Sequence, residues 1–223
     1  ISAALAAAFG VAAGSTFGSF AGVARGVALK PALSLRPLLD SGRGVQSALD
    51  RGALDDARRL LARHLVWRDT STLSETEVAG AASESVAENL NDSIVAPLLA
   101  FRVGGLAGAY AFRMINTADA MLGYHTPELE WFGKAAARTD DFAAFVPARV
   151  AALLICCAAP VAGGPTGRAI GTALRAAAKT AHPNPGLPIA ALAGALGVRL
   201  PQRSCSLLHR RAPCARPAAR RRP

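Results

Sequence analysis

Long stretches of this sequence carry almost no charged residues, and their distribution limits the folds that the chain can adopt. Residues 1–24 and 150–167 contain no Asp, Glu, Lys or Arg. Residues 186–198 also contain none, and residues 94–112 contain only Arg102. A helix of about 20 apolar residues can cross a bilayer, so the first stretch is long enough and residues 186–198 are not. The pattern predicts membrane helices, with residues 186–198 as a re-entrant or interfacial element.

The apolar excess comes mainly from alanine. Hydrophobic residues make up 52% of the 223 residues, whereas aromatic residues make up only 5%. Small side chains suit closely packed helices, including helices that pack in lipid. We therefore expect an all-α fold, a polytopic membrane helical protein with amphipathic helices between the apolar segments. A soluble bundle with buried Ala-rich helices is the alternative.

The formal net charge of +10 comes mostly from the C-terminal region. Residues 199–223 hold eight Arg and no acidic residue, so residues 1–198 carry only +2. This tail has no aromatic side chain to stack on bases and no recognisable nucleic-acid module, so we predict no nucleic-acid partner. Its Arg-, Pro- and Ala-rich composition has neither a helical nor a strand period. We expect a disordered basic tail after a domain of residues 1–198, and the hypothesis is that the tail is read from a shifted frame.

The four cysteines form neither a disulfide pattern nor a zinc pattern. Cys156 and Cys157 are adjacent in an apolar run, where we expect buried hydrophobic side chains. Cys205 and Cys214 lie in the basic tail with His209, but they lack zinc-finger spacing and a fourth ligand.

The segment of residues 67–97 contains the most informative polar pattern. Ser74 and Glu77 have the spacing of a capping box, so a helix is predicted to begin there, and Pro97 should mark its end or a kink. On a helical wheel, acidic and amide side chains share one face: Glu77, Glu84, Glu88, Asn91 and Asp92. The opposite face carries Val78, Ala79, Ala82, Val86 and Leu90. The segment is therefore predicted to be an amphipathic helix with an acidic stripe.

Three carboxylates of this stripe, Glu84, Glu88 and Asp92, follow one another at four-residue spacing. Like charges at this spacing destabilise a helix, so a cation should compensate them. Mg²⁺ typically binds one or two carboxylates together with substrate phosphates. We predict that these three residues bind a metal ion and are catalytic. A water-facing acidic helix is the alternative.

Further candidates lie on two later segments. Arg113, Asn116 and Asp119 step by three along one ridge of a predicted helix, and ionisable residues at membrane depth are candidates for a functional site. The alternative is that Asn116 caps the following turn. Arg138 and Asp141 have the spacing of a simple surface ion pair.

Arginine side chains are the candidates for binding an anionic substrate. Their planar guanidinium groups bind phosphate or carboxylate in bidentate fashion. These candidates are Arg68, Arg113, Arg138 and Arg149. Arg149 follows Pro147, which is expected to break a helix, and His182 lies in a predicted rigid turn, HPNPG, where an ordinary loop histidine is the alternative. No Walker A, G-x-G-x-x-G, H-E-x-x-H or G-x-S-x-G motif supports a standard nucleotide-binding or hydrolase fold.

Taken together, the polar segments resemble the adenosylcobinamide-phosphate synthase family of cobalamin biosynthesis. The matching motifs are RDTSTLSETEVAGAASESVAENLNDSIVAPL (68–98), NTADAMLGY (116–124), FGKAAARTDD (132–141), PAR (147–149) and HPNP (182–185). The resemblance extends from about residue 29 to residue 198. Ala144 and Gly186 stand where the family usually has Asn. We expect further apolar helices of the family before Ile1, so that the domain is N-terminally incomplete.

The resemblance implies a multi-pass protein of the plasma membrane that uses ATP and Mg²⁺. The implied reaction joins adenosylcobyric acid, a corrinoid, to aminopropanol or aminopropanol phosphate through an amide. It implies that Glu84, Glu88 and Asp92 hold Mg²⁺ and phosphate. The cofactor-binding candidates in the matching segments are Arg68, Asp69, Asn89, Asn116, Asp119, Arg138, Asp141, Arg149 and His182.

Within that set, Arg68, Arg138 and Arg149 are expected to hold anionic groups, and Asn116 and Asp119 to orient the amine or the metal. Membrane lipid is an expected partner, and the resemblance leaves open a complex with other corrinoid-pathway enzymes. Two other functions remain open. One is a membrane corrinoid or cation binding or transport protein without ATP chemistry. The other is a helical interaction protein with a solvated acidic face.

Overall fold

The computed structural model describes residues 21–66, 69–122, 130–177, 183–198 and 200, and these residues are helical apart from short connections. The α-helices are α1 (Ala21–Leu29), α2 (Leu35–Asp50), α3 (Leu54–His64), α4 (Glu75–Leu90), α5 (Ala96–Leu122), α6 (Glu130–Ala158), α7 (Thr166–Ala177) and α8 (Pro183–Leu196). Two 3₁₀ helices (Lys30–Ala32 and Ala159–Ala162) and a π-helix (Asn91–Val95) complete the elements. No strand occurs in the described ranges, which confirms the all-α prediction for them. Residues 1–20 and the basic tail, except residue 200, lie outside those ranges.

Helix α4 begins at the predicted capping box. The Ser74 backbone N–H donates to Glu77 Oε2 at 3.0 Å, and the Glu77 N–H donates to Ser74 Oγ at 3.4 Å. Helices α2 and α3 pack against the first half of α4 through one apolar cluster. Its buried members are Val45, Ala48, Ala57, Leu61, Leu73, Val78, Ala81 and Ala82. This part of the fold follows the amphipathic pattern of the sequence.

The predicted division of α4 into an apolar face and an acidic face is wrong in detail. Ala79, assigned to the apolar face, is exposed, whereas Glu84 on the acidic face is only 2% exposed. The reason is that α4 packs against α8 as well as against α2 and α3. A helix with neighbours on several sides buries more than one stripe, and its composition alone does not show which polar positions are covered.

The π-helix lies immediately before Pro97. The Ala96 N–H bonds to the Asn91 carbonyl five residues earlier, and the helix then continues as α5. Pro97 has no N–H to donate to the Ser93 carbonyl, and that carbonyl accepts from the Ser34 N–H at 3.2 Å instead. The expected kink at Pro97 is therefore present as a π distortion, an irregularity frequently found at functional sites.

Helix α5 reverses direction at Gly104 and Gly105. Gly105 has φ 58° and ψ −151°, a conformation available essentially only to glycine. The two arms approach so closely that a Cβ on Gly108 would overlap the Ala100 carbonyl oxygen. Positions equally far from the turn therefore meet, as Asp92 and Asn116 do. The apolar stretch of residues 94–112 is thus a helical hairpin.

The second arm of α5 packs on α1. Leu29, Ala32, Leu106 and Ala109 form a buried cluster there. The Tyr110 hydroxyl donates to the Ala28 carbonyl at 2.6 Å. These contacts hold the returning arm against the N-terminal helix.

Helix α6 continues through Pro147, so the prediction that this proline breaks the helix is wrong. One proline removes one backbone hydrogen bond, which the packing of an apolar helix can outweigh. Cys156 is buried as predicted, but Cys157 is exposed, because adjacent helical side chains point about 100° apart.

The C-terminal part of the fold is held by close contacts between small residues. Helices α6, α7 and α8 share a cluster built from Ala152, Ile155, Cys156, Ala159, Ala169, Ala173, Leu187, Ala191 and Ala195. The segment predicted as a rigid HPNPG turn is instead the first turn of α8 from Pro183 onward. Proline suits this position because the first N–H groups of a helix have no intrahelical acceptor.

Two helical segments, Glu75–Met121 and Gly133–Ala162, are long and apolar enough to cross a membrane by length and composition. The first contains the reversal at Gly104 and Gly105. Asn184–Leu196 is a shorter apolar helix, in line with the expectation that residues 186–198 cannot span alone.

Candidate functional site

Side chains from three elements converge on one partly buried, oxygen-rich cluster. Asp92 lies on the π-helix, Asn116 and Asp119 lie on the second arm of α5, and Asp140 lies on α6. The Asn116 amide donates to Asp140 Oδ1 at 3.4 Å, and Asn116 also lies beside the Asp92 side chain. The Asn91 amide donates to Asp92 Oδ1 at 2.8 Å. We call these five residues, Asn91, Asp92, Asn116, Asp119 and Asp140, the carboxylate–amide cluster.

Two oxygens of this cluster are buried and have no hydrogen-bond partner among the described residues. They are Asn91 Oδ1 and Asp119 Oδ1, on side chains that are 2% and 6% exposed. A buried polar atom of this kind costs free energy unless a water, an ion or a ligand satisfies it. Carboxylate and amide oxygens are the ligands that hard divalent cations prefer. The donor set therefore fits a cation such as Mg²⁺.

The cluster collects negative charge. Asp92 interacts electrostatically with Glu88 and Asp140, and Asp119 interacts with Asp140 and Asp141. Arg113 approaches it, but Nη1 donates to the Asp92 backbone carbonyl at 3.5 Å rather than to a carboxylate. Among the described residues, the ion pairs are Arg58–Asp55 and Arg59–Asp56, both within α3. Like charges held this close together raise one another's free energy, and a bound cation would lower it.

The three carboxylates predicted to bind metal are not equivalent. Glu84 and Glu88 interact with each other on α4, and Glu88 interacts with Asp92. Eight residues of helix place the Glu84 and Asp92 backbones about 12 Å apart along the axis. Within the described ranges, no three Asp, Glu, His or Cys side chains form a ready metal site. The metal assignment of Glu84, Glu88 and Asp92 stays a prediction, and Asp92 is the member that lies in the cluster.

Several predicted site residues lie outside the cluster. The Asn89 amide donates to the Ser85 carbonyl at 2.9 Å, within its own helix. Asp69 is on the surface, where its Oδ1 accepts from the Ser71 N–H at 2.9 Å, and this hydrogen bond holds the pKa of Asp69 below its usual value. Arg138 and Asp141 are both exposed, and the surface ion pair that was the alternative to a substrate-binding role does not form between them. Arg68 and His182 lie outside the described residues.

Sequence reasoning missed two residues, Asp140 and Asn184. Asp140 precedes buried Ala144 and Ala148 by one and two helical turns, a pattern that places it on the covered side of α6. Asn184 lies inside the HPNP motif and is 5% exposed. Its amide donates to the Asp141 carbonyl at 2.6 Å, and its Oδ1 accepts from Arg149 Nη1 at 3.5 Å.

The fold and the cluster define a class of protein: an α-helical protein with apolar helices that surround buried carboxylates and amides. A family model described as "CobD/Cbib protein" matches residues 1–213. The chain belongs to this family, which confirms the resemblance of its polar motifs.

Curated relatives agree with this assignment. "Cobalamin biosynthesis protein CobD" of Geobacter metallireducens is 46% identical over 168 residues, 75% of this chain and 52% of the relative. "Probable cobalamin biosynthesis protein CobD" of Methanococcus vannielii is 40% identical over 76% of the chain and 54% of the relative. The Mycobacterium tuberculosis H37Rv protein is 44% identical over 76% and 54%. The chain thus spans about half the length of these relatives. No solved structure matches it.

Proposed function

We propose that this chain serves cobalamin biosynthesis as an ATP-dependent amide ligase. Its substrates would be adenosylcobyric acid and either aminopropanol or aminopropanol phosphate. The proposal is supported by membership of a family whose curated relatives are named as cobalamin biosynthesis proteins. The activity is proposed for a chain that spans about half the length of those relatives.

The observation that carries the proposal is the carboxylate–amide cluster. Amide formation from a carboxylate needs activation, most simply by transfer of the γ-phosphoryl group of ATP to the carboxylate oxygen, with ADP leaving. The amine nitrogen then attacks the acyl carbon, the phosphate leaves with the carbon–oxygen bonding pair, and the nitrogen loses a proton. Positive charge beside the phosphoryl group stabilises the first step. A buried cluster of oxygen ligands is suited to hold the cation that supplies it.

Within the cluster, Asp92 and Asp140 would hold Mg²⁺, with the unpartnered oxygens of Asn91 and Asp119 as further ligands. When bound, Mg²⁺ supplies charge neutralisation for the phosphates. Asn116 donates toward both carboxylates and so orients them. Glu84 and Glu88 would extend the row of carboxylates along α4, while Arg138 and Arg149 would bind anionic groups.

We also propose that the chain is embedded in the plasma membrane. Large apolar side chains are exposed along α6 and the 3₁₀ turn that follows it. They are Phe142, Phe145, Val146, Leu153, Leu154 and Val161. A stripe of this length is unfavourable in water and favourable against acyl chains. The Gly133–Ala162 segment is also long enough to cross.

The test is product formation by the full chain in lipid vesicles. Incubation with adenosylcobyric acid, ATP, Mg²⁺ and either amine should yield the corrinoid amide by mass spectrometry, with one ADP per amide. Asp92→Asn should lower the rate at least about 100-fold, because it removes a charge that would contact the cation. Asp56→Asn, on α3 and outside the cluster, is the matched control and should retain the rate of the unaltered chain.

Two results would count against the proposal. If corrinoid binds or crosses the vesicle membrane while no nucleotide is consumed, the chain acts as a carrier or binding protein. If amide forms at an unchanged rate in Asp92→Asn, the cluster is not the site of chemistry.

A further inference from the structure

Arg149 and Asn184 form a polar contact between α6 and α8 that lies outside the carboxylate–amide cluster. Asn184 is buried and uses both ends of its amide, one toward the Asp141 carbonyl and one toward Arg149. These hydrogen bonds connect the first turn of α8 to α6 at Asp141, the residue next to Asp140. A buried amide with both ends bonded is rigid, so it offers Arg149 a fixed acceptor.

The remaining contacts of Arg149 use only part of its guanidinium. Nη1 donates to the Phe145 carbonyl at 2.5 Å, and Cζ lies 3.3 Å from the centroid of the Phe145 ring. Nε and Nη2 have no hydrogen-bond partner among the described residues, and Arg149 is exposed. The Nε–Nη2 edge is one of the edges that binds two oxygens of a phosphate or carboxylate.

The surroundings of Arg149 favour an anion. Nothing in the described part of the chain forms an ion pair with it. It also lies beside the first turn of α8, the positive end of that helix dipole. An unpaired arginine in a largely apolar helix is a functional candidate, and Phe145 and Asn184 restrict its motion.

We propose that the Nε–Nη2 edge of Arg149 binds a phosphate group and that Asn184 is the positioning residue that holds this guanidinium in place. The inference rests on the proposed function in one respect, because a phosphorylated substrate of that reaction is one source of the phosphate. A phospholipid headgroup is the other source with the same chemistry.

The experiment is a calorimetric titration of the full chain with inorganic phosphate, in dodecyl maltoside micelles, whose headgroups carry no phosphate, at constant ionic strength. Arg149→Gln should weaken the affinity at least about tenfold, and Arg149→Lys should also weaken it, because an ammonium lacks the two-pronged edge. Arg175→Gln, at an exposed arginine whose side chain contacts Thr172, is the control and should bind as the unaltered chain does. Absence of saturable binding in the unaltered chain, or unchanged binding in Arg149→Gln, overturns the proposal.

The role of Asn184 is tested by a double-mutant cycle. Asn184→Ala should weaken phosphate binding roughly three- to tenfold in the unaltered chain and have no effect in Arg149→Gln. Equal weakening in both backgrounds would show that Asn184 does not act through Arg149. Thermal melts of each variant identify any loss of folding. If Asn184→Ala does not fold, Arg149→Lys still tests phosphate binding by Arg149, because Asn184 is unchanged in that variant.

The two phosphate sources are separated by lipid composition. If added phosphatidylglycerol lowers the phosphate affinity of the unaltered chain but not that of Arg149→Gln, the headgroup occupies the site. If the affinity is unchanged, a soluble phosphate does. The titrations contain no ATP, Mg²⁺ or corrinoid, so phosphate binding can persist while the ligase proposal fails. Conversely, amide formation together with unchanged phosphate binding in Arg149→Gln overturns this inference alone.

Discussion

Asp140 and Asp141 are neighbours in the sequence, yet α6 turns their side chains about 100° apart. Asp140 faces Asn116 and the interior, whereas Asp141 is exposed and contributes its backbone carbonyl to Asn184. The two carboxylates have the same chemistry and nearly the same position along the helix. Comparing substitutions at the two positions therefore distinguishes a direct role in the cluster from a long-range effect of negative charge.

We predict that Asp140→Asn weakens binding of Mn²⁺, used as a paramagnetic substitute for Mg²⁺, by about 10- to 100-fold. Asp141→Asn should weaken it much less, because Asp141 contributes only long-range charge. Electron paramagnetic resonance of free Mn²⁺ measures both affinities in the same detergent. A larger loss in Asp141→Asn than in Asp140→Asn would contradict the assignment of Asp140 to the cluster.

Part of the site could be predicted from residue types and spacing. Asp92, Asn116 and Asp119 stand out because polar groups within apolar helices are costly. Asp140 was missed because its neighbour Asp141 has the three-residue spacing from Arg138 that suits an ion pair, and this drew attention to Asp141 instead. The choice between them depends on the rotation of α6, which the four-residue spacing from Asp140 to Ala144 and Ala148 would have indicated.

The reversal within α5 depends on one backbone conformation, at Gly105. A Cβ there would have space, but φ 58° with ψ −151° is strained for any other residue. We predict that Gly105→Ala lowers the free energy of unfolding by about 1–3 kcal/mol. Gly104→Ala is the matched control, since Gly104 has a negative φ and equal space. Thermal melts in detergent that show equal losses would contradict this account of the turn.

The crossing of α7 and α8 depends on the absence of a side chain at Gly194. A Cβ on Gly194 would lie 2.7 Å from Ala169 Cα and 2.8 Å from the Arg168 carbonyl oxygen. We expect Gly194→Ala to cost about 1–3 kcal/mol of unfolding free energy, because the two backbones must separate. Gly167→Ala on α7 meets open space and should leave stability unchanged or raise it. The same melting series checks this pair, and a stable Gly194→Ala would refute the close approach.

Hydrophobic periodicity predicted where the helices lie better than where they bend. The capping box at Ser74 and the polar helix α3 follow local rules that the sequence states directly. The hairpin in residues 94–112 was missed because an apolar sequence has the same pattern whether the helix runs straight or reverses direction. Gly104 and Gly105 were the local signal, and contacts between the two arms, such as that of Arg113 with the Asp92 carbonyl, show that the chain reverses.

At the scale of the whole molecule, polar and apolar helices occupy different parts of the chain. The charged helices α2 and α3 pack on the start of α4, while the hairpin tip and α6 expose apolar side chains, with Val103 91% exposed. The cluster lies about 18 Å from the hairpin tip, given twelve residues of helix on each arm. In a membrane-embedded arrangement, the hairpin tip would approach one surface of the bilayer. The cluster would lie deeper in the bilayer, away from that surface.

This arrangement predicts that both ends of the α4–α5 segment lie on the same side of the membrane. In a chain without cysteines, Ser71→Cys and Met121→Cys should react with an impermeant maleimide added to the same side of sealed vesicles. Val103→Cys at the tip should not react from that side, whether the hairpin ends within the bilayer or reaches the opposite surface. Labelling of Ser71→Cys and Met121→Cys from opposite sides would mean that the reversal is lost in lipid. Equal labelling of all three positions from both sides would mean that the segment is not embedded, because an apolar hairpin in a bilayer shields its tip from a reagent on at least one side.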